Sequence, residues 1–327
     1  MTAMRFGVVG CGAISTLYQL PALGRSSDAT LVATVDVDAG HAAAVARRFG
    51  ATESFTDHRA LVGRVDAALV ATPNTTHADI ACDLLTQGVH VLCEKPLATS
   101  RADVDRMLAA AARGGGRLMA AHCLRFSPNL ERLQDLIASG VLGERLTLSA
   151  SIGAPYDAGP QRTDFRRTRG LSGGGVLMDL GIHVVDLAIW MVGEAPVDVV
   201  YDASAVTGWE VESDVELALR FPSGSTGSFG ASFSRIMDPT YMVRGELGWA
   251  KASLYQPSQL TLFSDRVRLC RLAGVQDLVL PDANMYDQQL AHFVRAVRND
   301  TPFRVGPEEV RASIDVVERC YQMAEAS

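Results

Sequence analysis

Gly7-Val-Val-Gly10-Cys11-Gly12-Ala13-Ile14-Ser15 decides the fold. An apolar run, Arg5–Val9, leads into it, and a helical pattern leaves it. Gly10 permits a tight turn after the strand. Gly12 lets a pyrophosphate approach the backbone beside the amides that open a helix, where Ala13 and Ile14 lie. Ser15 stands where a third glycine is usual; serine is small enough for close packing. Glycine pairs also mark ordinary turns, so the context matters. The next apolar run, Leu31-Val-Ala-Thr-Val-Asp36, ends on an acid. A carboxylate there accepts both ribose hydroxyls and repels a 2′-phosphate, which favours NAD over NADP. Asp38 competes for that role, and a solvated turn aspartate is the plain alternative. Arg47 and Arg48 are too far along the following helix to argue for NADP.

The same grammar continues outward. Ala67–Ala71, Val89–Cys93 and Arg117–Ala121 have strand character, whereas Gly40–Phe49, Thr76–Gln87 and Arg101–Ala112 have helical periodicity. Ser100 can cap the last helix, with Asp103 in its first turn and Gly114 just past its end. Such alternation calls for a parallel sheet covered on both faces. Ligands bind at the carboxyl ends of such strands. Two segments reach that edge. Ala71-Thr72-Pro73-Asn74 offers Thr72 and Asn74 to a cofactor, or simply makes a turn. Glu94-Lys95-Pro96 places an ammonium where it can stabilise a developing alkoxide. Only Lys95 and Lys251 are lysines among the 30 basic residues, so a lysine retained at a strand end is informative.

The grammar changes after residue 124. Ser127–Ser139 and Met178–Met191 are expected as helices and Arg145–Ile152 as a strand. From Val197 to about Leu280 come strands and turns, including Val215–Phe221, a Pro222-Ser-Gly turn and Gly227–Phe233, which suit a mostly antiparallel sheet. Helices near Asp287–Arg298 and Pro307–Ala326 close the chain, the latter with Glu308 and Glu309 in its first turn. Gly173-Gly-Gly175 leads into Val176-Leu-Met-Asp179-Leu-Gly-Ile-His183-Val-Val-Asp186. On a helix Asp179 and His183 share a face. The aspartate can orient the imidazole, which can take a proton near neutral pH. Asp186 is a second candidate orienter, and a purely structural Asp–His pair is the alternative.

Composition narrows the function. The chain has 327 residues, 48% apolar and 20% charged, which suits two globular domains. They are expected at 1–124 and 125–327. Residues 1–124 carry balanced charge, so the net −7 falls wholly in the second part. That balance argues against nucleic-acid binding. No apolar run approaches the roughly 20 residues of a membrane helix, and the N-terminus lacks a signal-peptide layout. A soluble, cytoplasmic protein is expected. The cysteines at 11, 82, 93, 123, 270 and 320 form no C-x-x-C pair, so no zinc site or redox dithiol is indicated and isolated, mostly buried thiols are expected. No metal is expected.

G-C-G-A-I-S, the V-D at the second strand end, A-T-P-N-T-T-H, C-E-K-P-L and G-G-G-V-L-M-D-L-G-I-H-V-V-D-L together resemble the Gfo/Idh/MocA oxidoreductases, over residues 5 to about 325. The resemblance implies an N-terminal Rossmann domain, a doubly wound parallel sheet, and a C-terminal α/β domain with a large, mostly antiparallel sheet. It implies homodimers or homotetramers formed through that sheet. It implies a substrate held over the nicotinamide, with Lys95, Asp179 and His183 as the catalytic set. His183 would take the hydroxyl proton, Lys95 would polarise the oxygen, and Asp179 would bind substrate or tune His183. His77, Glu94, Lys95 and Tyr286 join the glycine-loop residues, Asp36, Thr72 and Asn74 on the cofactor side. Arg125 and Arg166 join the catalytic set on the substrate side. Cys123 replaces a polar residue of many members. The expected activity is NAD(P)-dependent oxidation or reduction of a sugar, aminosugar or cyclitol. Four arginines in Gln161–Arg169 suggest a phosphorylated or nucleotide-linked substrate, or equally a solvated loop or subunit contact. The alternatives are a glycosidase using NAD transiently and a non-catalytic NAD-binding sensor.

Overall fold

The computed structural model describes residues 2–156, 164–266 and 274–326. They divide into two compact units, 1–123 with 286–311 and 124–285 with 312–327. The sequence predicts two consecutive pieces divided at 124/125. The structure returns 286–311 to the first unit instead. Apolar packing and ion pairs explain the return: Phe293 sits edge-on to Phe6 at 5.8 Å, Asp287 pairs with Arg25 at 2.6 Å, and Arg298 pairs with Asp28 at 2.7 Å.

The first unit is built on six parallel strands: β1 (Met4–Val9), β2 (Ala29–Val35), β3 (Glu53–Phe55), β4 (Ala67–Val70), β5 (His90–Glu94) and β6 (Leu118–Ala121). Their order, β3-β2-β1-β4-β5-β6, is doubly wound. β4 and β6 are buried at every residue, which is why their sequences show unbroken apolar runs without alternation. The helices are α1 (Leu20–Arg25), α2 (Ala39–Phe49), α3 (His77–Leu85) and α4 (Arg101–Gly114). Ser100 caps α4 by accepting from the Asp103 amide at 3.1 Å. The left-handed terminator is Gly115, at φ +75°, and Gly114 is the last helical residue. Adding a Cβ at Gly114 would place it 2.0 Å from the Leu85 carbonyl oxygen, so that glycine serves close packing. β3 escaped the sequence reading because three residues are too few to show a period.

The second unit carries α5 (Pro128–Ala138), β7 (Thr147–Gly153), α6 (Arg169–Ser172) and α7 (Ile182–Val192). Then come β8 (Asp198–Ser204), β9 (Asp214–Arg220), β10 (Thr226–Ser232), β11 (Thr240–Gly245), β12 (Gly248–Ser253), β13 (Gln259–Ser264) and β14 (Gln276–Val279). They form an eight-stranded sheet, β14-β13-β12-β11-β7-β10-β9-β8, antiparallel except for the β7–β10 pair. The alternating burial along β9 shows a sheet with one covered face. α7 packs on β7 and β10, and α5 on β12 and β13. Helix α8 (Met285–Asn299) belongs almost wholly to the first unit, and α9 (Pro307–Ala326) spans the last crossing between units.

Arg169–Val192 corrects one expectation. These 24 residues are long and apolar enough to cross a membrane by length and composition, with hydropathy 1.7. Yet 72% of that apolar window is buried inside the protein, and Gly173, at φ +76°, interrupts the helix. The apolarity therefore belongs to the core. Of the five cysteines among the described residues, Cys11, Cys93, Cys123 and Cys320 are buried and Cys82 is half-buried; all five are free thiols, and Cys270 lies outside the described residues.

Candidate active site

The glycine loop joins β1 to a wide turn of π-helix, Ser15–Gln19, that runs into α1. Gly10 has φ +92°, and a Cβ there would lie 2.3 Å from the Ala71 carbonyl oxygen, so both conformation and space demand glycine. At Gly12 an added Cβ would meet nothing within 4 Å, which leaves the room a pyrophosphate needs. Ala13 and Ile14 follow at the start of the helix. The imperfect third position has a physical role. Ser15 is fully buried, and its hydroxyl donates to the Gly10 carbonyl at 2.5 Å, closing the loop on itself.

Asp36 follows β2 and accepts from the Cys11 amide at 3.1 Å and the Asp38 amide at 3.0 Å. Its carboxylate is therefore fixed beside the glycine loop. Asp38, its rival in the sequence, caps α2 by accepting from the His41 amide at 2.9 Å. His41 reaches back to the Cys11 carbonyl at 2.8 Å. These groups fit a dinucleotide: a loop with open space, a carboxylate placed for ribose hydroxyls, and helix amides nearby.

The same sheet edge holds the other cofactor-side residues. Asn74 is buried in a short turn, Asn74–Thr76, and the Thr76 hydroxyl donates to the Thr72 hydroxyl at 2.7 Å. His77 sits differently from the expectation. It is 1% exposed, with Nδ1 2.8 Å from the Pro96 carbonyl oxygen and Nε2 2.9 Å from that of Thr72. Burial pushes its pKa down, and Lys95 adds to this while the two carbonyls oppose it. A neutral imidazole donates to one of these two carbonyls and only lies against the other, so His77 packs between the Thr72 turn and the Lys95-Pro96 segment.

Lys95 follows β5 and is half-buried; its amide donates to Glu94 Oε2 at 3.2 Å. Glu94 is buried and also accepts from Gln19 Nε2 at 2.5 Å. Tyr286 stacks on Tyr18 at 4.9 Å and hydrogen-bonds the Cys123 thiol. Burial pushes that thiol up to about 12. Burial likewise holds the Tyr286 hydroxyl well above its ordinary value, so both groups stay protonated. Gln19 and Tyr18 are not recognisable from sequence. A polar residue and an aromatic inside a helical pattern carry no signal until the fold brings Glu94 and Tyr286 beside them.

The second unit holds the remaining candidates. Leu177–Gly181 forms a second wide π turn, continuous with α7. Asp179 therefore lies in the π turn and His183 in α7, rather than both in one regular α-helix. Such turns recur at functional sites. Asp179 Oδ2 accepts from Arg166 Nε at 2.6 Å, and the two side chains are 14% and 28% exposed. The Arg166 guanidinium also lies 4.9 Å from the Phe165 ring and 5.5 Å from Tyr156. Its pKa is raised, chiefly by the Asp179 charge. Arg167 pairs with Asp164 at 3.2 Å and lies 4.6 Å from the Trp209 ring. Both arginines have acids or aromatic faces of this unit as partners. Arg162 lies outside the described residues.

Arg125 also departs from expectation. Its Nε and Nη2 donate to the two Asp186 oxygens at 2.8 and 2.7 Å, and both side chains are essentially inaccessible. The guanidinium lies 5.6 Å from the Trp190 ring, and Ser313 reaches Asp186 at 3.4 Å. Arg125 thus fixes α7 from inside rather than presenting a charge to substrate. Asp186, the second candidate to orient His183, is the acid that neutralises it. His183 itself is 9% exposed.

Residues 4–122 match the model of the GFO/IDH/MocA oxidoreductase family with its NAD-binding Rossmann fold, and residues 130–251 match the GFO/IDH/MocA C-terminal domain. The chain belongs to the GFO/IDH/MocA oxidoreductase family. It is 31% identical over 299 residues to 1,5-anhydro-D-fructose reductase of Ensifer adhaerens, covering 90% of this chain and 88% of that one. It is 31% identical over 231 residues to myo-inositol 2-dehydrogenase of Thermotoga maritima, covering 68% and 67%. The crystal structure of aldose-aldose oxidoreductase from Caulobacter crescentus superposes with TM-score 0.90 at 25% identity, covering 99% of this chain and 98% of that one. Membership makes the protein an oxidoreductase, with relatives named as dehydrogenases and reductases of sugars and polyols.

Proposed function

We propose that the protein transfers a hydride between NAD and a secondary alcohol or ketone of an uncharged sugar or cyclitol. The observation that carries the cofactor half is Asp36, held by the Cys11 amide beside an open Gly12. A fixed carboxylate there favours ribose hydroxyls and disfavours a 2′-phosphate. Gly10, Gly12, Asp36 and Glu94 hold the dinucleotide, which supplies the hydride acceptor or donor when bound. Lys95 donates to the substrate oxygen and stabilises the charge that develops on it. His183 takes the hydroxyl proton during oxidation and returns it during reduction. Asp179, partnered by Arg166, holds the polar side of the substrate.

The same ion pair supports a neutral substrate. Arg166 brings one positive charge and Asp179 one negative, so this pair adds no net cation beyond the Lys95 ammonium. Arg167 is balanced by Asp164. A phosphorylated sugar would need a net positive cradle. The experiment is absorbance at 340 nm with NAD and NADP offered separately against cyclitols, sugars, aminosugars and their phosphates. The reading predicts NADH formation with unphosphorylated polyols. A higher kcat/KM for phosphorylated sugars, or for NADP, would contradict it.

A further inference from the structure

The Gly173–Gly175 turn starts the helical segment that carries Asp179, yet the π turn has no side-chain cap of its own. The buried amides at its start find a remote carboxylate. Glu212 Oε1 accepts from the Leu177 amide at 3.1 Å and the Gly175 amide at 3.0 Å, and Oε2 shares the latter at 3.1 Å. The Glu212 carbonyl accepts from the Val176 amide at 3.0 Å. A fourth partner comes from α9: the Tyr321 hydroxyl donates to Oε1 at 2.9 Å. A carboxylate at a helix start satisfies orphan amides and meets the positive end of the helix dipole.

The glycines are shaped to this clamp. A Cβ on Gly175 would stand 1.9 Å from the Glu212 carbonyl oxygen, and one on Gly174 would stand 2.0 Å from the Tyr321 hydroxyl. The triple glycine thus lets Glu212 and Tyr321 approach the backbone. The Asp179 amide in turn donates to the Gly175 carbonyl at 3.1 Å, so the clamped residue is one hydrogen bond from the candidate catalytic acid.

We propose that Glu212, held by Tyr321, is a positioning residue that fixes the turn carrying Asp179 and so sets the geometry of hydride transfer. The proposal rests on the functional reading that Asp179 and His183 serve that chemistry. Glu212 touches no reacting atom; it acts through Gly175 and Leu177. Burial pushes its carboxyl above the ordinary value, while Tyr321 and the two amides pull it down. Removing the Tyr321 hydroxyl therefore raises it further and favours the protonated form, which accepts less strongly.

The test compares Tyr321→Phe, Glu212→Gln and the double variant with the parent enzyme. NAD affinity, kcat and KM for the best substrate, and amide hydrogen exchange across residues 175–181 are measured for each. Tyr321→Phe removes one hydroxyl and keeps the fold when Glu212→Gln proves too disruptive. Loosening the turn misplaces a reacting group, so kcat falls about tenfold or more. NAD affinity stays at the parent value, exchange in 175–181 speeds up, and the two substitutions together cost less than the product of their separate effects. The kcat of Tyr321→Phe also acquires a steeper loss at acid pH. A folded Tyr321→Phe with parental kcat overturns the positioning role even where exchange has changed. A parent enzyme without turnover on any polyol or ketose is a separate failure: it removes the functional reading, and the proposal falls with it.

Discussion

Two residues of one chemical type can have opposite duties, and their partners decide which. Asp36 and Asp186 are both aspartates in conspicuous motifs. Asp36 accepts from two amides at an open loop. Asp186 is sealed against Arg125. Asp36→Asn keeps the size and an acceptor for the Cys11 amide but removes the charge. A hydrogen bond to a charged group contributes about 1.5–3 kcal/mol, so NAD affinity should fall about 10- to 100-fold while NADP binding improves, as read by fluorescence titration. For Asp186 the expected loss is stability. Removing one partner of a buried ion pair strands the other charge, at a cost of about 3–5 kcal/mol. Asp186→Asn should lower the urea midpoint accordingly. Unchanged stability with a raised substrate KM would return Arg125 to the substrate side. That assignment was illegible in sequence, because arginine has the same letter in an ion pair as in a binding pocket.

Elements of the first unit were legible because burial on both sheet faces writes itself as apolar runs between helical periods. The glycine loop, the acid after β2 and the lysine after β5 were legible for the same reason, since each ends a recognisable run. Less legible were features created by contacts distant in sequence. The return of 286–311 to the first unit depends on Phe293 meeting Phe6 and on Arg25 meeting Asp287. The π turns at Ser15–Gln19 and Leu177–Gly181 change no residue type and leave no periodic mark. The glycines before Asp179 were visible as a motif, but their reason was not. It lies in Glu212 and Tyr321, 37 and 147 residues beyond Gly175 and Gly174. Gly175→Ala sets a methyl against backbone, which cannot swing away. Such overpacking costs about 1–3 kcal/mol or more, and calorimetry should show a lower melting temperature. A neutral Gly175→Ala would mean that the clamp is looser than the distances state.

At the scale of the molecule, the first unit carries the dinucleotide loop and Lys95, and the second carries Asp179 and His183. The proposed hydride transfer draws on residues of each. The central claim is therefore tested by the two proposed catalytic groups taken one at a time. Lys95→Ala and His183→Ala would be assayed at 340 nm with NAD and the best polyol, with NAD binding titrated in parallel. The account predicts folded variants that retain NAD affinity within a few-fold and lose kcat by about 100-fold or more, as expected for removal of an alkoxide-stabilising donor or a general base. Variants that turn over at the parental rate would contradict it.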